Sequence, residues 1–198
     1  MPDYEFENIA VNNGFTAVCG VDEAGRGPLA GPVYAAAVIL PQGLAIDGLN
    51  DSKKLSEKKR ELLYDEITKN AVAWSVAFAT EQEIDEINIL QATFLAMKRA
   101  VESLTEKADY ALIDGNRMPP LEIKGETVVK GDSRSMSIAA ASILAKVTRD
   151  RFMLEVDKLY PQYQFSKHKG YGTKLHYEML AQHGVSPVHR RSFLRKIL

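Results

Sequence analysis

The sequence predicts an α/β layer fold. Short apolar, β-branched runs alternate with longer amphipathic stretches, Gly, Pro, Asn and Asp clusters punctuate them, and no internal repeat or low-complexity tract breaks the order. A first strand is expected over residues 15–21, because Gly25, Gly27 and Pro28 do not continue a ladder comfortably. A second strand over residues 33–40 closes at Pro41-Gln42-Gly43, and its spacing makes it a hairpin partner of the first. Asn50-Asp51-Ser52-Lys53-Lys54-Leu55 then leads into a helix over residues 56–69 with Leu62, Leu63 and Ile67 inward. Alternation of Val72, Trp74, Val76 and Phe78 predicts a third strand with one well-buried face.

Thr80 and Glu83 form a capping box, so a helix begins at Glu81, and its stripe of Leu90, Phe94, Met97, Val101 and Leu104 reads as core. Residues 110–113 make a short strand ending at Asp114-Gly115-Asn116, and Val128 and Val129 make another ahead of Lys130-Gly131-Asp132. A long helix is expected over residues 133–160, with Ile138, Ala139, Ala140, Ala141, Ile143, Leu144 and Val147 on its inner side and Pro161 as its stop. Past Lys167-His168-Lys169-Gly170-Tyr171-Gly172, a helix capped by Thr173 ends at Gly184, and a last short helix starts near Pro187.

With 198 residues, 45% of them hydrophobic and 26% charged, the chain suits one soluble globular domain over residues 1–198 rather than a disordered or membrane chain. Within it, residues 1–13 form an N-terminal segment and residues 161–198 a basic helical part. Net charge is −1, but beyond Asp150 the chain carries Arg151, Lys158, Lys167, Lys169, Lys174, Arg190, Arg191, Arg195, Lys196 and all four histidines. Such a tail suits a polyanion, and solvated helix faces give the same counts. The single Cys19 excludes a disulfide framework and a thiolate zinc site. No run approaches the ~20 apolar residues of a membrane span, and the first residues are too acidic for a signal peptide. A cytoplasmic monomer away from membranes is the expectation.

Residues 20–28, Gly-Val-Asp-Glu-Ala-Gly-Arg-Gly-Pro, carry the first chemical signal. In a regular strand Asp22 and Glu23 point to opposite faces, and Gly25 and Gly27 permit a change of direction that brings a ligand against backbone N–H groups. Arg26 offers a planar fork suited to phosphate, and Lys53 and Lys54 stand at a helix entrance where an anion would offset their charge. Alone, the acidic pair also fits a solvated strand-to-loop corner, and the lysines a solvated pair. Asp114 closes a second strand and Asp132 precedes the long helix, so four carboxylates stand at element ends that gather at one sheet edge. Hard divalent cations, magnesium or manganese, match such oxygens. Each acid has a plainer reading: Asp132 as a helix cap, Asp114 as a turn residue, Asp150 as a surface ion-pair partner.

Together with residues 50–55, 112–116, 129–134, 139–150, 167–171 and 189–193, the 20–28 stretch resembles the bacterial ribonuclease HII family, the type 2 ribonucleases H, over nearly the whole chain after the first dozen residues. The resemblance implies a ribonuclease H-like fold, a central mixed β-sheet flanked by helices with a helical C-terminal part. It also implies an endonuclease that hydrolyses RNA in RNA/DNA hybrids and cuts 5′ of single ribonucleotides in duplex DNA. The implied chemistry uses two Mn2+ or Mg2+ ions and leaves 3′-hydroxyl and 5′-phosphate ends. By matching position, Asp22, Glu23, Asp114 and Asp132 are the implied catalytic and metal-binding acids. Gly25, Arg26 and Gly27 are implied to meet the ribonucleotide's 2′-hydroxyl, and Tyr171 to pack on the junction sugar. Lys53, Lys54, Lys167, Lys169, Arg190 and Arg191 are candidate phosphate contacts, which set affinity more than specificity. His168, His183 and His189 are left as phosphate contacts or surface residues. Ribonucleotide removal from DNA and RNA primer removal are the implied roles. A different metal-dependent nuclease on the same core and a non-catalytic hybrid-binding module are the alternatives. The chain ends at Leu198 without the longer helical extension of some relatives.

Overall fold

The apolar runs pair into one mixed five-stranded sheet in the computed structural model, which describes residues 1–194. Arg195 and Lys196 of the basic segment, and the chain end at Leu198, lie outside the described residues. The strands are β1 (Val18–Ala24), β2 (Val33–Ile39), β3 (Ala73–Ala79), β4 (Tyr110–Asp114) and β5 (Lys124–Val128), in the order β3-β2-β1-β4-β5. β1 and β2 form the expected antiparallel pair, β3 adds to β2 antiparallel, and β4 and β5 add in parallel on the other side. The helices are α1 (Glu5–Asn12), α2 (Glu57–Asn70), α3 (Glu81–Glu102), α4 (Met136–Leu159), α5 (Phe165–His168), α6 (Lys174–His183) and α7 (Arg191–Leu194).

Alternation along the strands gives each face its own helix. Cys19, Val21, Ala35, Ala37 and Ile113 pack under Ile84, Ala92, Ala96, Met97 and Ala100 of α3. On the opposite face Ala36 and Val38 meet Ala139, Ala140, Ile143 and Leu144 of α4, and Leu63 and Ile67 of α2 join that cluster. The first ten residues of α4, Met136 to Ala145, are therefore all buried. Gly20 sits beneath them so closely that a Cβ there would stand 2.1 Å from the Ser137 carbonyl carbon.

Several expectations change at close range. Leu62 is 57% exposed while Leu63 and Ile67 are buried, because only one edge of α2 meets α4. In β3 and just before it the large side chains lie on the less-covered face: Val72, Trp74 and Phe78 are exposed and Val76 is half-buried, whereas Ala73, Ser75 and Ala79 are buried. The reason is that β3 is the sheet edge under α3, which comes close enough for only small side chains, so Trp74 and Phe78 turn sideways onto Tyr64 and Tyr34. α3 starts at the expected capping box but kinks at Asn88, whose φ is 68° and whose side chain caps Leu90 and Gln91 N–H. α4 starts at Met136 with Ser135 as its cap, not at residue 133, since residues Gly131–Ser133 form a separate 3-10 turn. The last parallel strand comes earlier than expected, leaving Val129 exposed. Asp150 is buried between Lys146 and Arg60, not on the surface.

The N-terminus is stitched to the start of α4. Asp3 N–H donates to the Arg134 carbonyl at 3.1 Å, Met136 N–H donates to the Asp3 carbonyl at 3.0 Å, and buried Glu7 accepts from Ser135 Oγ at 2.7 Å and Ser137 N–H at 2.9 Å.

The C-terminal helices enclose a histidine stack, where loop or surface histidines are expected from the sequence. His168, His176 and His189 are buried against Phe165. Gly170 N–H donates to His168 Nδ1, so its Nε2–H donates to the Tyr163 carbonyl. Ser186 N–H donates to His189 Nδ1, His189 Nε2–H then donates to His176 Nε2 at 3.0 Å, and His176 Nδ1–H to the Tyr171 carbonyl. Every ring is thereby neutral with one defined tautomer, and an added proton would set two donors against each other.

Gly20→Ala is expected to destabilise by about 3 kcal/mol or more through overpacking. A urea midpoint equal to wild type would contradict the close approach of α4. Burial, chiefly, pushes His176 and His189 down to about 4. Their folded pKa lies below the unfolded value of about 6.5, so this contribution is complete above that pH and drains as pH falls toward 4. The urea midpoint should drop across that window, and drop less in a His176→Gln/His189→Gln variant.

Candidate active site

Pairing with β2 carries β1 through both acids, with Asp22 opposite Ala36 and Glu23 opposite Ala35. The strand therefore ends at Ala24, not before Asp22, because the ladder outweighs the low strand propensity of carboxylates. Gly25, at φ +95°, then turns the chain. Asp22 is buried on the α4 side, with Ser142 in its neighbourhood. Glu23 lies on the other side, lining a cavity with Arg26, Leu90, Phe94 and Met97.

Parallel pairing sets the next acid. Val21 pairs with Ile113, so one residue further on Asp22 and Asp114 occupy neighbouring strands, whose axes lie roughly 4.8 Å apart. Asp114 Oδ1 accepts from Gly131 N–H at 2.7 Å, which draws the turn bearing Asp132 to the end of β4. From across the edge comes a second 3-10 turn, Ser52–Lys54, held by Ser52 Oγ on Ser142 Oγ at 2.9 Å and capped by Asp51. It places Lys53 among the acids.

The charges perturb one another. Burial first, and then the Glu23 and Asp114 carboxylates, push the Asp22 carboxyl well above the ordinary aspartate value. Glu23 is raised by burial and by Asp114, against the pull of Arg26, 3.4 Å away. Asp132 is raised by burial, Asp114 and Asp51. Desolvation alone would lower the Lys53 ammonium, yet Asp22, Asp132, Asp51 and Asp114 together carry it above the usual lysine value. Perturbed groups packed at one edge mark a functional site. Among the described residues no three His, Cys, Asp or Glu side chains lie close enough to hold a metal ion as they stand. In kind, the donor set fits a hard divalent cation: it is all carboxylate oxygen, and its mutual repulsion is what a cation relieves.

Gly25, Arg26 and Gly27 follow directly, and Tyr171, 40% exposed, lies beside them: a Cβ on Gly27 would come 4.0 Å from its ring. Lys54, Lys167 and Arg191 are at the surface. Arg190 is not: it is fully buried, its fork spent on carbonyls of residues 25–31, so it cannot touch a phosphate. Lys169 is half-buried, with its Nζ on the Ser166 carbonyl. Asp51, Ser142 and Arg149 also shape the edge, although the sequence assigns them no site role. Ser142 inside an apolar helix face was the visible signal. No helix among the described residues is long and apolar enough to cross a membrane.

Comparison with known proteins identifies the family and the fold. The Ribonuclease HII family model matches residues 19–196. Ribonuclease HII of Dechloromonas aromatica is 63% identical over 176 residues, covering 89% of this chain and 90% of that protein. Ribonuclease HII of Caldicellulosiruptor bescii is 54% identical over 195 residues, covering 98% and 95%. Among solved structures, ribonuclease H2 from Pyrococcus horikoshii OT3 superposes with a TM-score of 0.69 at 27% identity, over 89% of this chain and 93% of that one. Ribonuclease HII in its PCNA complex from Archaeoglobus fulgidus superposes with a TM-score of 0.70 at 26% identity, over 88% and 94%. The mixed sheet with its helical C-terminal part is the fold of these enzymes, and this chain belongs to the ribonuclease HII family of ribonuclease H endonucleases.

Proposed function

We propose that Asp22, Glu23, Asp114 and Asp132 are the catalytic acids of a ribonuclease H reaction on RNA/DNA hybrids and on duplex DNA containing single ribonucleotides. The observation that supports it most is the position of Asp22 and Asp114, each one residue beyond the Val21–Ile113 pair on adjacent parallel strands, with Glu23, Asp132 and Lys53 close enough to shift or be shifted by their charge. Mn2+ or Mg2+ held by the four carboxylates would supply Lewis-acid stabilisation of charge at the attacking and leaving oxygens. Asp22 and Asp114 hold the central position, Glu23 reaches in from the α3 side, and Asp132 from the turn tied to Asp114. Lys53 and Arg26 bind phosphate oxygens beside the acids and orient the backbone for in-line attack. Water oxygen bonds to phosphorus on the 5′ side of the ribonucleotide as the bond to the 3′ oxygen breaks, giving 3′-hydroxyl and 5′-phosphate ends. Backbone groups of Gly25, Arg26 and Gly27 meet the 2′-hydroxyl, which distinguishes RNA from DNA at that nucleotide. The Tyr171 ring packs on the neighbouring deoxyribose. This activity suits removal of misincorporated ribonucleotides and RNA primers by a cytoplasmic monomer.

A labelled duplex with one ribonucleotide, an all-DNA duplex and a long hybrid, incubated with magnesium or manganese, test the reading. A nick 5′ of the single ribonucleotide is expected, with no cutting of DNA alone; cutting of all-DNA duplex would point to a different nuclease. Asp114→Asn should lower kcat by about 10³-fold or more, with KM little changed. Because Asp114 raises its neighbours by like charge, the same variant should melt higher than wild type without metal, by about 2–4 °C per kcal/mol relieved. Added magnesium should raise the wild-type midpoint and leave the variant's nearly still. A variant that melts no higher would contradict the repulsive cluster.

A further inference from the structure

Two arginines lie buried beneath the 25–32 loop, and among the described residues neither forms an ion pair. Arg149 and Arg190 are both 0% exposed, and every hydrogen bond they make ends on a backbone carbonyl. Arg190 donates from Nη2 to Gly25 at 2.6 Å, from Nη1 to Arg26 at 2.9 Å and from Nε to Gly31 at 2.8 Å. Arg149 donates to Ala30 at 3.1 Å, to Pro32 at 3.2 Å and to Lys169 at 3.0 Å, beside Tyr171. Burying a guanidinium without a carboxylate partner is costly, so its geometry carries a consequence elsewhere.

That consequence follows from the planar trans peptide, in which C=O and the next N–H point in opposite directions. Holding the Gly25 carbonyl toward Arg190 turns the Arg26 N–H away from it, and holding the Arg26 carbonyl does the same to the Gly27 N–H. Neither N–H finds an acceptor among the described residues. Gly25 has no room for a side chain, since a Cβ would stand 2.0 Å from Arg149 Nε. Its glycine serves the arginine below as much as any ligand above. The buried positive charge also strengthens both free N–H groups as donors.

Resting on the reading of this loop as the ribose reader, we propose that Arg190 and Arg149 are specificity-determining positioning residues. Their forks hold the loop carbonyls inward and so present the Arg26 and Gly27 N–H groups to a ribonucleotide's 2′-oxygen. They never touch substrate. Arg190→Lys keeps the charge and loses the fork, so it separates orientation from electrostatics.

Binding is measured by anisotropy in the inactive Asp114→Asn background, with a duplex carrying one ribonucleotide and its all-DNA counterpart. Asp114→Asn should prefer the ribonucleotide duplex. Adding Arg190→Lys should remove about tenfold of that preference, one hydrogen bond's worth, while affinity for all-DNA duplex stays within about twofold. An undiminished preference, or an equal loss on both duplexes, overturns the proposal, the latter because it marks a merely structural role. If Asp114→Asn shows no preference at the outset, the reading of the loop as ribose reader has failed instead, and the proposal with it. Amide exchange in the Asp114→Asn protein does not depend on the lysine variant folding. The Arg26 and Gly27 N–H groups should exchange fast in the free protein and be protected by the ribonucleotide duplex alone; slow exchange in the free protein overturns the proposal.

Discussion

The close approach of α4 to β1 at Gly20 is the constraint on which the rest of the molecule depends. With no side chain between them, the helix backbone lies on the strand two residues before Asp22, and Ser142 comes level with that carboxylate. The same helix holds Lys53 in reach through the Ser142–Ser52 hydroxyl pair and, a turn and more further on, sends Arg149 beneath the loop that follows the acids. A larger residue at position 20 would displace all three at once. Packing, not the acids' own chemistry, therefore sets the site; the carboxylates repel one another and hold position because the sheet and α4 leave them no alternative.

Much of this was readable in the chain itself. The capping box at Thr80 and Glu83, the stop at Pro161, and Asp114 and Asp132 at a strand end and a turn all follow from local rules, since their signals lie within a few residues. The end of β1 was not readable, because its continuation through Asp22 and Glu23 depends on a partner strand ten and more residues away. Nor was the inner face of β3, where alternation shows two faces but not which one a helix will cover. Arg190 and the histidines misled for a third reason: polar residues in a basic stretch read as surface, and only their many carbonyl and ring partners explain their burial.

Those residues give the C-terminal part an unusual interior. Elsewhere the core is aliphatic and alanine-rich, as between α4 and the sheet. Here an apolar cluster around Met153, Phe165 and Leu180 is joined by buried imidazoles and guanidiniums hydrogen-bonded to one another and to backbone groups. Such a layer tolerates little sliding, since shifting any ring leaves a buried donor unmatched. It is a rigid mount for the 25–32 loop and for Tyr171, whose carbonyl accepts from His176.

The pairing of Asp3 with the segment around Arg134 and Met136, and the Glu7 carboxylate on Ser135 and Ser137, change how the first dozen residues should be regarded. Glu7 accepts from the Ser137 N–H in the first turn of α4, shortly after the turn that carries Asp132, so segments about 130 residues apart in sequence meet beside the candidate site. An expression tag or trimmed start that disturbs Asp3 or Glu7 would reach the turn bearing Asp132 through the helix terminus, and a lowered activity in such a preparation would report on cloning rather than on chemistry.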